Sequence, residues 1–163
     1  MGPFIFLDTE TTGFDPSRDH IIEVAAIWWE NGKITKRYES LVNPRTPLPY
    51  EITLLTGIQN KDTEGAPLFS EIKNELMEFA GNFPIVGHNI AFDIGFLRSH
   101  HAEMKNPEMD TVSLARILLH KESSYALEVL MKKYELTLRE SHRAMIDCET
   151  TVEFFEFLLG FFK

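Results

Sequence analysis

Two acidic residues follow a short apolar segment near the start of the chain, in FIFLDTETTG (Phe4–Gly13). Phe4–Leu7 is an apolar run typical of a buried strand, and Asp8 and Glu10 come directly after it. Residues two apart in a strand point to the same face, which places the two Cα atoms roughly 6.6 Å apart. Such a pair could bind a divalent cation. Taken alone, the pair is more typical of surface residues beyond a frayed strand end than of a site.

Two later segments add acidic and imidazole side chains. VGHNIAFDIGFL (Val86–Leu97) places Asp93 early in a predicted helix among many apolar neighbours, where a carboxylate needs a partner. The alternative is an acid at a helix start that is stabilised by the helix dipole. HRAMID places His142 five residues before Asp147 at the start of the last predicted helix. That pair could also be a capping histidine and a surface aspartate.

These residues together suit one chemistry. Asp8, Glu10, Asp93 and Asp147 offer carboxylate oxygens, which suit Mg²⁺ or Mn²⁺ rather than zinc. Two such ions about 3.5–4 Å apart clamp a phosphodiester during hydrolysis. His142 could accept the proton of the attacking water.

The elements that must position these residues follow an α/β pattern. Asn31-Gly32 is a strong hairpin signal, so the first three strands are predicted to form an antiparallel meander. Later strands alternate with helices, which indicates a mixed sheet. Asp110 is predicted to cap a helix, and Ser123-Ser124 could cap the next one. The predicted strands are Phe4–Glu10, Ile21–Glu30, Lys33–Val42, Pro84–His88 and a short one within Asn106–Thr111; the predicted helices are Glu51–Thr56, Pro67–Ala80, Ala91–Ser99, Val112–Leu119, Tyr125–Tyr134 and one from near Arg143.

Composition and charge restrict the function classes. With 163 residues, 44% hydrophobic and 25% charged, the chain is expected to be one globular domain over residues 1–163. No transmembrane helix or signal peptide is expected. One cysteine, Cys148, excludes an internal disulfide and fits a cytoplasmic location. The net charge of −9 argues against strong unaided nucleic-acid binding, although two divalent cations would add four charges and bring it to −5.

The three segments resemble a known family. DTETTG, GHNIAFDIGFL and HRAMID resemble, in order and spacing, the three motifs of the DEDDh (DnaQ-like) exonucleases of the ribonuclease H-like superfamily. The resemblance covers Phe4 to about Leu159. A tyrosine at position 143 would mark the sister group, but Arg143 stands there. The resemblance implies a three-layer α/β fold, a central mixed five-stranded sheet flanked by helices.

The resemblance also implies a site and a reaction. Asp8, Glu10, Asp93 and Asp147 would be ligands of two divalent ions, Mg²⁺ or Mn²⁺, and His142 the general base. The reaction would be 3′–5′ exonucleolytic hydrolysis of DNA that releases nucleoside 5′-monophosphates.

Within the family, LLTGI and HNIAFD are most similar to the proofreading exonuclease domains of bacterial replicative DNA polymerases, such as the epsilon subunit of DNA polymerase III. They also resemble exonuclease domains fused to some damage-inducible helicases. The resemblance assigns substrate binding to Thr9, Thr11, Leu55, Asn89 and Phe92. An aromatic or leucine wedge can hold one unpaired base without reading its identity.

Several alternatives stay open at this point. The expected substrate is a single-stranded or frayed 3′ end of DNA, but related enzymes trim RNA ends or degrade short oligoribonucleotides. A catalytically silent nucleic-acid-binding module and a phosphodiesterase of dinucleotides are two further alternatives. The chain could be a stand-alone enzyme or a domain excised from a larger polymerase or helicase polypeptide. The phenylalanine-rich C-terminal segment is expected to pack in the core, although a partner or dimer contact would also suit it.

Overall fold

The computed structural model describes residues 2–137 and 142–162. Its sheet has five strands in the order β3-β2-β1-β4-β5. The first three strands are antiparallel, whereas β4 pairs in parallel with both β1 and β5. The predicted mixed sheet with an antiparallel meander is therefore confirmed. The strands are β1 (Phe4–Thr11), β2 (Ile21–Glu30), β3 (Lys33–Leu41), β4 (Ile85–Gly87) and β5 (Glu108–Asp110).

The turn between β2 and β3 has the geometry that its sequence predicts. Asn31 and Gly32 both have positive φ, 53° and 77°, as a two-residue type I′ hairpin requires. β1 lies in the middle of the sheet, and Ile5, Phe6 and Leu7 are almost fully buried. The strand that carries the first two acids is thus fixed on both edges and both faces.

The helices match the predicted positions with three exceptions, the first of which is α3, which begins at Phe69 rather than at the predicted Pro67. α2 was not predicted because NKDTE has no apolar periodicity; a capping box between Gln59 and Asp62 begins it. α6 begins two residues later than predicted, since Ala126 is its N-cap and Ser124 Oγ only accepts a bond from the Ala126 N–H. The helices are α1 (Tyr50–Thr56), α2 (Asn60–Glu64), α3 (Phe69–Ala80), α4 (Ala91–Ser99), α5 (Thr111–Leu118), α6 (Leu127–Lys133) and α7 (Ala144–Leu159), followed by a 3₁₀ turn (Gly160–Phe162).

Helices cover both faces of the sheet and give it three layers. Ile5 and Leu7 of β1 pack with α3 and α4 on one face. Phe6 packs with Cys148 and Phe155 of α7 on the other. Because side chains alternate along a strand, the even-numbered residues of β1 face α7. Asp8 and Glu10 therefore continue the row that Phe6 begins.

The C-terminal segment is only partly core. Phe154, Phe155 and Leu158 of α7 are buried, whereas Phe161 and Phe162 are 52% and 67% exposed. The expected core packing of this segment ends at Leu158, because the α-helix gives way to the 3₁₀ turn at Gly160. Among the residues that the structure describes, no helix is long and apolar enough to cross a membrane.

Candidate active site

Three carboxylates meet at the carboxyl end of β1. Asp8, Glu10 and Asp147 each present an oxygen, and these oxygens lie within 4.8 Å of one another. Asp8 and Glu10 reach this point because every second residue of β1 faces α7, and both belong to that row. Asp147 reaches it from the first turn of α7. Oxygen ligands converging from two rigid elements suit a hard divalent cation.

Asp93 lies beside this group and is held by β1 itself. Its Oδ1 accepts bonds from the Thr9 N–H at 2.8 Å and from the Thr9 hydroxyl at 2.7 Å. Asp93 is 4% exposed at the start of α4. These bonds join α4 to β1 at Thr9, which lies between Asp8 and Glu10. The predicted need of Asp93 for a partner is met by Thr9.

The four acids share one electrostatic environment. Burial raises the pKa of Asp8 well above its usual value, and the charges of Asp93, Asp147 and Glu10 raise it further. Burial and then the charge of Asp147 raise the pKa of Glu10 to about 8. Burial raises the pKa of Asp93 despite the two Thr9 bonds, and it also raises the pKa of Asp147. A cluster in which like charges resist ionisation is suited to bind cations.

His142 lies at the entrance to α7. Its backbone has φ of 69°, a left-handed conformation that is uncommon for histidine. Its N–H donates to Asp147 Oδ2 at 2.9 Å. The residue is exposed, so the structure places it beside Asp147 of the acidic cluster and in contact with solvent.

The threonines predicted to hold substrate use their hydroxyls within the protein. Thr9 bonds Asp93, and the Thr11 hydroxyl donates to the Gly13 carbonyl at 2.6 Å. Both side chains are buried. Leu55 is 49% exposed on α1, so it presents an apolar surface to solvent.

Phe92 packs against a residue that sequence reasoning missed. Its ring lies 6.4 Å from that of Phe14 in an edge-to-face arrangement, and Phe14 is 86% exposed. Phe14 follows Gly13, where a Cβ would lie 2.3 Å from Asp19 Oδ2, so any other residue there would displace the Asp19 carboxylate. The signal for Phe14 was an aromatic residue directly after the acidic motif, in a loop.

The loop that carries Asn89 is fixed from several sides. Asn89 is exposed with φ of 65°, and its N–H donates to Asp110 Oδ1 at 2.8 Å. Asp110 also caps α5 by accepting from the Val112 and Ser113 N–H groups, which confirms the predicted cap. His88 bridges Thr111 Oγ1 at 2.9 Å and the Tyr125 carbonyl at 2.8 Å.

Sequence reasoning also missed Glu23. It is 0% exposed near the start of β2 and lies opposite Glu10 in the ladder. Arg143 and the Ala144 N–H bind its carboxylate. The signal was a charged residue within the apolar run IIEVAAI, because a buried charge requires a partner.

Comparison with known proteins assigns the family. A family model described as Exonuclease matches residues 5–155, nearly the whole chain. The chain belongs to this exonuclease family. The DEDDh pattern of Asp8, Glu10, Asp93, Asp147 and His142 is consistent with that membership, and enzymes of this family depend on divalent metal ions.

Curated relatives of this exonuclease are much longer proteins. The chain is 38% identical over 158 residues to a PolC-type DNA polymerase III of Clostridium perfringens (strain 13 / Type A), covering 94% of this chain and 11% of that protein. It is 35% identical over 154 residues to the PolC-type DNA polymerase III of Bacillus subtilis (strain 168), with shares of 91% and 11%. The exonuclease thus spans about a tenth of the curated relatives it matches.

Solved structures show the same fold. Exonuclease X in complex with 5′-overhanging duplex DNA has a TM-score of 0.82 and 25% identity, and the match covers 96% of this chain and 91% of that chain. The zinc-bound complex of E. coli ExoI with single-stranded DNA has a TM-score of 0.77 and 21% identity, with shares of 91% and 38%. The predicted ribonuclease H-like exonuclease fold is confirmed.

The raised pKa values predict how metal-free protein responds to pH. Glu10 has a pKa of about 8 when folded against 4.5 ordinarily, so between these values the folded state binds more protons than the unfolded state. Stability from this group is therefore present at low pH and is lost as pH rises towards 8. In EDTA, we expect the melting temperature to fall between pH 6 and pH 8.5, and Mg²⁺ to raise it more at the higher pH.

Differential scanning fluorimetry at both pH values, with EDTA or Mg²⁺, measures this effect. Asp8→Asn serves as the comparison, because it removes one carboxylate from the cluster and should flatten the EDTA profile. A wild-type profile in EDTA that matches the variant's would contradict the assignment of the pH effect to the cluster.

Proposed function

We propose that this exonuclease hydrolyses DNA from the 3′ end and releases nucleoside 5′-monophosphates. The observation that carries the proposal is the convergence of Asp8, Glu10 and Asp147 oxygens within 4.8 Å at a strand end, with Asp93 and His142 beside them. Two comparisons favour DNA over RNA. Exonuclease X was solved with 5′-overhanging duplex DNA, and the curated relatives are DNA polymerases.

Asp8, Glu10, Asp93 and Asp147 would hold two divalent ions, Mg²⁺ or Mn²⁺. The donor set fits such ions, because it consists of carboxylates alone, and their pKa values are raised by burial and then by one another's charge. When bound, the ions polarise the scissile phosphodiester and lower the pKa of a nearby water. In the bare cluster, by contrast, the carboxylates that remain ionised would repel a phosphate.

The chain's own residues supply the remaining steps. His142 accepts the proton of the attacking water and, because it is exposed, passes it to solvent. The water oxygen bonds to phosphorus as the bond between phosphorus and the 3′ oxygen breaks, and the 3′ oxygen takes a proton from solvent. This leaves a 5′-phosphate on the released nucleotide and a 3′-hydroxyl on the shortened strand. The Thr9 bonds to Asp93 fix that carboxylate against β1.

The terminal nucleotide would lie against an apolar surface. Phe92 and the exposed ring of Phe14, which pack together, would provide this surface, and the exposed residues Leu55 and Asn89 are proposed as further contacts. Stacking on aromatic rings is tolerant of base identity. Thr9 and Thr11 would act by holding Asp93 and the turn at Gly13 in place, because their hydroxyls already bond these residues.

The wider role follows from the relatives. We propose that residues 1–163 act as one exonuclease domain on single-stranded or frayed 3′ ends, in a proofreading or DNA repair context with a polymerase or helicase module. The PolC-type relatives support the polymerase context. A cytoplasmic location belongs to the same proposal, since the one cysteine of the chain, Cys148, is buried as a free thiol.

The proposal is tested with end-labelled oligonucleotides. Single-stranded DNA and RNA of one sequence, labelled at the 5′ or the 3′ end, are incubated with Mg²⁺, Mn²⁺ or EDTA. We expect the 3′ label to appear at once as mononucleotide and the 5′ label to form a descending ladder, with DNA cut faster than RNA. Faster RNA cleavage would replace DNA by RNA in the proposal. Internal cuts, full activity in EDTA, or no cleavage of either polymer would refute it.

A further inference from the structure

A buried ion pair connects the sheet to the start of α7. Arg143 Nε lies 3.0 and 3.1 Å from the two oxygens of Glu23, and Arg143 Nη2 lies 2.6 Å from Oε1. The Glu23 side chain is 0% exposed and that of Arg143 is 42% exposed. The Arg143 guanidinium thus donates charge-assisted hydrogen bonds to both oxygens of a carboxylate that has no access to water.

The same carboxylate caps α7. The first N–H groups of a helix lack intrahelical partners, and the N-cap residue, Arg143, makes no capping bond with its own side chain. Glu23 Oε2 instead accepts the Ala144 N–H at 2.9 Å. A residue of β2 therefore does the work of an N-cap for a helix more than a hundred residues away in sequence.

The bonds from Glu23 to Arg143 and to the Ala144 N–H form an anchor for the start of α7. In sequence, this anchor lies between two proposed functional residues. His142 precedes Arg143 and has the uncommon φ of 69°. Asp147 follows one turn later, and its N–H donates to the Arg143 carbonyl at 3.0 Å. His142 and Asp147 also bond one another directly. An uncommon backbone conformation persists only where its surroundings enforce it, and the surroundings here are the anchored ends of this turn.

We propose that Glu23 and Arg143 are positioning residues that set the place of His142 and Asp147 relative to Asp8 and Glu10. The inference rests on the proposed function for its activity readout. The ladder supports it, because Glu23 pairs with Glu10 across β1 and β2. Glu23 of the anchor and Glu10 of the cluster thus face each other across the two strands. The anchor fixes the start of α7 relative to β1, the strand that carries Asp8 and Glu10.

The pair has a matched control in the same helix. Arg37 of β3 bonds Glu149 of α7 through Nη2 at 2.9 Å and Nε at 3.1 Å. This second ion pair also joins the sheet to α7, but it is exposed and lies away from the helix entrance. Arg37→Ala therefore removes a sheet-to-helix ion pair without touching the anchor.

Steady-state kinetics on labelled DNA compares Arg143→Ala, Arg143→Lys and Arg37→Ala with the wild type. We expect Arg143→Ala to lower kcat by about 10–100-fold, as for other partners that orient ligands, with KM within about threefold. Arg143→Lys should recover part of kcat, and Arg37→Ala should retain all of it. A raised KM with unchanged kcat would mean that Arg143 contacts substrate, which would overturn the inference.

Amide hydrogen exchange gives a second readout that needs no activity. In Arg143→Ala, the amides of His142 and Ala144 should exchange about tenfold faster, while amides of β2 stay protected. In Arg37→Ala, they should not change. Should Arg143→Ala fail to fold, Arg143→Lys carries the same comparison.

The two proposals fail in different ways. Inactive wild-type protein whose Arg143 variants show faster exchange would refute the proposed function and retain the anchor. Active wild-type protein whose Arg143 variants keep both kcat and amide protection would refute the anchor and retain the function.

Discussion

Replacing Asp8 by asparagine is expected to lower kcat by about 10³-fold or more. Asp8 supplies an oxygen to the cluster from the rigid end of β1. Bound metal ions contribute several kcal/mol of transition-state charge stabilisation, and about 4 kcal/mol corresponds to a factor of roughly 10³ in rate. Kinetics on 5′-labelled DNA at saturating Mg²⁺ measures the loss.

The same change should make metal-free protein more resistant to heat at pH 8. Burial and the neighbouring carboxylates disfavour the charge of Asp8, so a neutral amide of the same shape relieves the folded state. Glu108→Gln is the matched control, because Glu108 is exposed on β5 and should affect neither property. Wild-type activity in Asp8→Asn would remove Asp8 from the proposed machinery, and a large drop in melting temperature would assign it a structural role instead.

Replacing His142 by alanine should lower kcat by about 10²–10⁴-fold, the usual contribution of general acid–base catalysis. The acidic cluster does not include the imidazole, so the affinity for Mn²⁺, measured by calorimetry, should change little. Because His142 has φ of 69°, alanine also strains the backbone at this position, and one further variant is needed.

His142→Asn separates the two effects. Asparagine tolerates the left-handed conformation better than most residues but cannot accept a proton from water. Both variants should therefore be similarly slow, while His120→Ala, at an exposed histidine beyond α5, should retain full activity. Near wild-type turnover in His142→Asn would show that the conformation matters and the proton transfer does not.

The sequence predicted those parts of the site that depend on local periodicity. Asp8 and Glu10 alternate in a strand, so their convergence follows from the strand geometry alone. Asp93 and Asp147 could be placed early in helices by the apolar spacing around them. The hairpin at Asn31-Gly32 and the cap at Asp110 were likewise predicted from local sequence signals, and both are confirmed.

The parts that were missed depend on contacts between distant segments. The Thr9 bonds to Asp93 span 84 residues, and those of Glu23 to Arg143 span 120. Neither partner could be chosen from the sequence, because many hydroxyls and cations compete for a buried carboxylate. The pairing of Phe14 with Phe92 is similar, since it depends on how the loop after β1 approaches the start of α4.

The alternation of β1 has a consequence for variation in this enzyme. Phe6 packs against α7 in the core, and Asp8 and Glu10 continue the same row into the cluster. Loss or gain of one residue between them would turn either the aromatic ring or the carboxylates to the opposite face. The spacing of this strand is therefore constrained twice, once by folding and once by the reaction. Neighbouring loops can change length under far weaker constraint. Substrate preference can therefore diversify through these loops while the length of β1 stays fixed.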